Sequence, residues 1–296
     1  MLNHGYAYTS KVKITSDGQT LLLHLVEQFD HSNLEAWRQN LNRGEVTLDG
    51  ATANGSESLS TGQILVWSRP PWVEPSTPRH FQIVFEDEYL LVVNKPSGLP
   101  TIPGGGYMEN TLLRLVQRQI PSANPVHRLG RATSGLVLFA KTSLAARNIF
   151  KMWNTTAVQK IYRALSQGVA ERDEYEIITP IGLVPHPLLG SVWAANPAGK
   201  RSRSTATVIS RGLDATTFSV SLSSGRPHQI RIHLASIGHP LAGDPLYGFA
   251  GLPLEHLPGL PGDGGYFLHA QYLRFVHPIL GAPVSVEAAL PGEWPD

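Results

Sequence analysis

The sequence predicts an α+β fold with a mixed, mostly antiparallel sheet, preceded by a small N-terminal α/β domain. Short apolar runs outnumber stretches of helical periodicity and do not alternate with them, which disfavours a doubly wound sheet. Turns rich in Gly and Pro separate the later runs. Residues 68–78 carry Pro70, Pro71, Pro75 and Pro78, a stiff connector that marks a domain boundary. The expected units are residues 1–75 and 76–296. At 296 residues, 42% apolar and 16% charged, the chain is long enough for one sizeable core plus an appended domain.

In chain order, residues 21–26 and 34–41 read as two short helices, the second capped by Asn33. Residues 46–48 and 64–66 read as strands, with Asp49-Gly50 as a turn. Past the connector, 81–85 and 89–93 read as paired strands around the acidic turn Glu86-Asp87-Glu88. The apolar run 136–140 leads to Ser143, the expected cap of a helix through Trp153. Its apolar face is expected to hold Leu144, Ala145, Ile149, Met152 and Trp153. Later strands are expected at 206–209, 218–222 and 272–275. Residues 248–265, rich in Gly, Pro and Leu, read as a long surface loop. No internal repeat is visible.

The absence of cysteine excludes disulfides, thiolate zinc sites and cysteine nucleophiles, and fits a reducing, cytoplasmic setting. No apolar run approaches the roughly 20 residues that span a bilayer. The first residues lack the basic start and apolar block of a signal peptide, so no leader and no membrane contact are expected. The chain is expected to act as a monomer. Its net charge is only +1, but the charges are unevenly spread. Residues 110–165 hold nine Lys and Arg and no Asp or Glu. A second stretch holds Lys200, Arg201, Arg203, Arg211, Arg226 and Arg231 against Asp214 alone. Cations confined in this way attract phosphates. Solvated side chains neutralised by acids elsewhere would give the same counts.

The sharpest segment is Val126-His127-Arg128-Leu129-Gly130-Arg131-Ala132-Thr133-Ser134-Gly135, followed by Leu136-Val137-Leu138-Phe139. A basic loop running into an apolar strand is where a rigid scaffold presents reactive groups. A turn that happens to carry an arginine pair would read the same. Ser134 lacks the glycine two residues earlier that a hydrolase nucleophile elbow needs, and no nucleophile–base pair is visible elsewhere. His228 and His233 are five apart, which is not the spacing of a helical zinc pair. The twelve histidines form no compact cluster, so no metal site is expected. Gly104-Gly105-Gly106 could cradle a phosphate, but a lone glycine run usually marks a loop.

The 127–135 loop is similar to the His-Arg-Leu-Asp-x-x-Thr-Ser-Gly signature of RluA-type pseudouridine synthases. Three further segments resemble that family's pattern in the expected order: Val92-Val93-Asn94-Lys95-Pro96-Ser97-Gly98, Lys160-Ile161-Tyr162-Arg163-Ala164, and Gly225-Arg226-Pro227-His228-Gln229-Ile230-Arg231-Ile232-His233. Gly243-Asp244-Pro245-Leu246-Tyr247-Gly248 follows. The resemblance covers roughly residues 80–290, and residues 1–75 look like the small RNA-binding module that often precedes such domains. That first segment carries five Lys and Arg against eight acids, which is unfavourable for gripping phosphates.

The resemblance implies isomerisation of uridine to pseudouridine in structured RNA, rRNA or tRNA, with the target base flipped into a pocket. No redox step occurs, so no cofactor is implied. An aspartate would act on the sugar, an arginine would pair with it, and a tyrosine would stand beside the base and help remove the carbon-5 proton. Tyr162 matches the tyrosine and Arg231 the arginine; Arg128 matches the residue that helps hold the RNA open. Arg131, Lys160, Arg226, His228 and Gln229 are expected to join Arg128 in contacting RNA. Gly130 stands where the aspartate belongs, and glycine can be neither nucleophile nor base. Asp87, Glu109 or Asp244 could approach only through the fold, and Asp244 matches a family position of its own. With its carboxylate missing, Arg231 is expected to lie in a wet pocket or to hold an anion. Two readings follow: an isomerase that works without an aspartate at position 130, or a catalytically inactive RNA-binding protein of the same fold.

Overall fold

Leu21, Leu25, Trp37 and Leu41 recur at helical spacing, and folding buries all four. They lie on α1 (Leu21–Gln28) and α2 (Leu34–Asn42), and Asn33 caps α2 by accepting from the Ala36 amide at 2.9 Å. Strands β1 (Tyr6–Lys11), β2 (Val46–Leu48), β3 (Ala51–Thr52) and β4 (Ile64–Arg69) pair antiparallel in the order β1-β4-β2-β3. Asp49 and Gly50 turn β2 into β3 with φ of 50° and 84°. This computed structural model describes residues 2–294 apart from Asp30, His31, Asn154, Leu257 and Glu293. It divides into two units, Met1–Glu74 and Pro75–Asp296.

The second unit is organised on one large sheet. Its first strands are β5 (Gln82–Glu86), β6 (Leu90–Lys95), β7 (Asn124–Pro125), β8 (Ser134–Ala140) and β9 (Gln159–Gln167). After β10 (Glu174–Ile177), β11 (Ile181–His186) and β12 (Gly190–Ala195) form a separate hairpin. The chain then returns through β13 (Ser204–Arg211), β14 (Ala215–Leu222), β15 (Leu268–Val276) and β16 (Pro283–Glu287). The order is β10-β13-β14-β9-β15-β8-β6-β5, with β16 beside β15 and β7 beside β8. The β15–β8 pair is parallel and the other pairs in this sheet are antiparallel. The class is therefore α+β with a mixed, mostly antiparallel sheet.

Alternation along β6 and β8 feeds both faces of the sheet. Leu91, Val93, Val137 and Phe139 join one apolar cluster, and Leu90, Val92, Leu136 and Leu138 join another. Strands covered on both faces read as continuous apolar runs, which is why these two were legible. Helices α3 (Leu112–Gln117) and α5 (Gln229–Ser236) pack on the first face and α4 (Ser143–Met152) on the second. The cap of α4 is Thr142, whose hydroxyl accepts from the Ala145 amide at 3.2 Å, and not Ser143. Ala145, Ile149 and Trp153 form the buried stripe, while Leu144, about 100° away around the helix, is 55% exposed. Among the described residues no helix is long and apolar enough to cross a membrane.

Burial pushes the imidazoles of His127, His233 and His269 down to about 3, 4 and 4 from an ordinary 6.5, with the Lys160 charge adding to the effect at His127. Between these values the unfolded chain binds more protons than the folded one. Stability is therefore full at neutral pH and is lost as pH falls from about 6.5 toward 4. The urea midpoint is expected to be lower at pH 5 than at pH 7.

Candidate active site

Along β9 the residues Lys160, Tyr162, Ala164 and Ser166 are buried and their neighbours are less so. Two devices bring the 127–135 loop to Tyr162. Gly135 has φ 108°, and a Cβ there would run into the Ala270 backbone, so only glycine lets β8 approach β15 this closely. Lys95, fully buried, donates its three N–H groups to the carbonyls of Pro96, Leu99 and Arg131 at 3.0, 2.7 and 3.1 Å. Burial, aided by the nearby Arg131 charge, pulls its ammonium down to about 7. The clamp fixes the loop after β6 against the backbone next to Gly130.

Two cavities share Arg128, Leu129, Gly130, Arg226, His228 and Pro261. The inner one, of about 120 Å³, is also lined by Thr133, Tyr162, Gln229, Arg231 and Tyr266. The outer one, of about 570 Å³, adds Arg131 and the Gly104-Gly105 stretch. Among the described residues neither wall contains an Asp or Glu. Arg128 is exposed, and Arg226 reaches the Arg201 carbonyl at 3.4 Å. Arg131 is held by the Gly262 carbonyl at 2.9 Å, the Tyr107 hydroxyl at 3.3 Å and Asp263 at 3.3 Å. Gln229 is buried and spends its amide on Arg203, Ser204, Ser224 and Arg226, so it shapes the wall rather than reaching out of it. The Tyr247 hydroxyl donates to the Trp193 carbonyl and so accepts from His228 Nδ1 at 2.7 Å, leaving His228 Nε2 an acceptor. Burial holds that imidazole neutral, at about 4.

Lys160 is not brought to either cavity. It shares the buried face of β9 with Tyr162, but its Nζ donates to the Trp153 carbonyl at 3.3 Å and lies 5.0 Å over that indole ring. The expectation of a wet or anion-filled pocket at Arg231 is also overturned. Its Nε donates to Asp244 Oδ2 at 2.7 Å and its Nη2 to Oδ1 at 2.6 Å, with the two side chains 3% and 1% exposed. The Pro261 carbonyl takes Nη1 at 3.0 Å. Asp244 Oδ1 also accepts from the Leu246 and Tyr247 amides at 2.9 and 3.1 Å. Asp244 is thus the carboxylate partner of Arg231, but its oxygens are committed and it lines neither cavity. Asp87 bonds His277 at 2.9 Å, and Glu109 lies 3.7 Å from Arg118.

Three features escaped the sequence reading. Tyr266, between the glycine-rich loop and the apolar run of β15, lines the inner cavity, and no pattern marks it. Thr133 lay inside a motif but carried no assigned role. The 248–265 segment is a cavity wall as well as a surface loop, since Pro261 and Gly262 hold Arg231 and Arg131 by their carbonyls. Gly130 itself does not need to be glycine. Its φ lies outside the left-handed region, and a Cβ would sit 3.5 Å from the Thr133 hydroxyl and 3.6 Å from the Tyr266 hydroxyl, which is ordinary contact.

Residues 89–236 match the sequence profile of the family described as RNA pseudouridylate synthase. An uncharacterized RNA pseudouridine synthase of Synechocystis sp. is 38% identical over 269 residues, 90% of this chain and 92% of the relative. Ribosomal large subunit pseudouridine synthase D of Neisseria meningitidis is 34% identical, with 92% and 75% covered. The solved structure of human RNA pseudouridylate synthase domain containing 1 shares the fold, with a TM-score of 0.57 and 24% identity over 74% of this chain and 87% of that one. A chain with this sheet, this order of motifs and relatives matched along nearly its whole length belongs to the RluA-type RNA pseudouridine synthases.

Proposed function

We propose that this chain isomerises uridine in a structured RNA, rRNA or tRNA, with Tyr162 and Arg231 as working residues of the pocket and without a carboxylate at position 130. The observation that carries this reading is the placement of Tyr162, Arg231 and the Gly130 loop around one cavity, with Arg128 and Arg226 at its mouth. A uridine flipped out of its stack, at a cost of a few kcal/mol, would enter past those two arginines. Arg131 and His228 border the wider cavity along which the flanking RNA would run.

Burial pushes the Tyr162 hydroxyl up to about 12, so at neutral pH it is a protonated phenol. That state suits a general acid first and a base second. The phenol gives its proton to uracil N1 as the C1′–N1 bond breaks; after the ring has turned, C5 bonds to C1′ and the phenolate takes the carbon-5 proton. Arg231 is locked to Asp244 and holds the floor of the pocket in shape. The isomerisation gains and loses no electrons and so calls for no redox cofactor, and the chain acts in this reading as a metal-free monomer in the cytoplasm. The Met1–Glu74 unit serves in this reading as an accessory RNA-binding module of low affinity.

The lack of any acid among the described residues of the cavity walls favours a second reading, an inactive protein that only binds RNA. Release of tritium from RNA labelled at uridine C5, taken from cells lacking this protein, separates the two. Release means turnover, and binding without release means the second reading. Arg128→Ala is expected to weaken RNA binding under either, and to lower the salt slope by about one if Arg128 meets a phosphate. A filter-binding series across salt concentrations checks it.

A further inference from the structure

Among the described residues the pocket has no carboxylate, but it has a protic group at the place a side chain on residue 130 would reach. Tyr266 is 7% exposed, lines the same cavity as Tyr162, and has its hydroxyl 3.6 Å from where a Cβ on Gly130 would stand. That hydroxyl lies 3.4 Å from Thr133 Oγ1, and Gly130, close to both, is exposed. The Arg231 guanidinium lies 4.4 Å from the centre of the Tyr266 ring, a cation–π contact that holds the ring in place. Asp244 and the Tyr247 ring lie against Arg231, and Arg128 and Arg226 line the same cavity. His228 and Tyr162, which line the same cavity, are both neutral near pH 7.

We propose that Tyr266 is the residue that acts on the ribose, as a nucleophile at C1′ of the bound uridine. The inference rests on the reading that the chain is a working synthase. Tyrosine is a competent nucleophile at an anomeric carbon. Ionised Tyr266 Oη forms a bond to C1′ as the C1′–N1 bond breaks. The electron pair leaves on N1, which takes the Tyr162 proton. After the uracil turns, C5 attacks C1′, the Oη–C1′ bond breaks and its pair returns to Tyr266. The C5 proton passes to the Tyr162 phenolate. Both tyrosines end as they began, and no co-reactant is consumed.

The test uses the full-length protein and RNA from cells lacking it, with single-turnover pseudouridine formation as the readout. A step that needs a phenolate nucleophile speeds up with pH, by up to about tenfold per unit, and wild type is expected to do so. Tyr266→Phe is expected to lose ~10³-fold or more in rate while RNA affinity and thermal midpoint stay near wild type. Adding Gly130→Asp to Tyr266→Phe is expected to restore turnover with a profile flat above the carboxylate range. Asp263→Asn, which alters the exposed acid paired with Arg131, is expected to leave the rate within a few-fold of wild type. Full activity in Tyr266→Phe, a flat wild-type profile, or loss of turnover in Asp263→Asn instead would overturn the assignment of Tyr266 while leaving the synthase reading intact. No pseudouridine from wild type would overturn both.

Discussion

Tyr162→Phe is expected to abolish pseudouridine formation and leave RNA affinity within about twofold of wild type. The substitution removes one oxygen from a side chain that is 9% exposed and lies in the apolar cluster on its face of the sheet, across from Val220 and Ala270, so folding should survive it. What is lost is the proton that the departing N1 needs and the site that later accepts the C5 proton. A general acid–base group is worth roughly 10²–10⁴ in rate, and here one hydroxyl serves in both directions. Tritium release from C5-labelled RNA, alongside a binding isotherm, reads the two effects separately. Near-normal release would remove Tyr162 from the chemistry and leave it a core residue.

Asp244→Ala is expected to destabilise the Pro75–Asp296 unit by about 3–5 kcal/mol, because it strands a buried guanidinium without its counter-ion. For a unit of this size that is a fall of roughly 10 °C in Tm. The loss is larger than an ion pair alone would give, since the same carboxylate also satisfies the Leu246 and Tyr247 amides. Replacing Arg231 and Asp244 together by apolar residues is therefore expected to recover only part of the loss. A urea titration of the two variants checks both statements, and a full recovery would show that the amides find other acceptors.

Much of the framework was legible because its signals are local. The Asn33 cap, the Asp49-Gly50 turn and the doubly buried runs of β6 and β8 each follow from a few adjacent residues. Helix α5 was not legible. Its residues from Gln229 to Ala235 are all buried, so it has no polar face to set a 3.6-residue period, and it starts after His228 in the left-handed region at φ 54°. The candidate site divides in the same way. Tyr162, Arg231 and the Gly130 loop sit in ordered motifs, and the fold brings them to one cavity. The Asp244 partner was misjudged because adjacency in sequence says nothing about which carboxylate reaches a guanidinium across a turn. Lys160 looked like an RNA contact by charge, whereas only the position of Trp153 decides where its ammonium goes. Tyr266 had no sequence signal, since its meaning lies in the space that Gly130 leaves open.

The most direct measurement is a map of pseudouridine in the RNA of cells lacking this protein, complemented with wild type or with Tyr162→Phe. A site that vanishes in the deletion, returns with wild type and stays absent with Tyr162→Phe is the predicted result. It would establish catalysis by a pocket with glycine at position 130. An unchanged map with wild-type protein present and bound to RNA would contradict it, and the chain would then be an RNA-binding member of its family that no longer turns over.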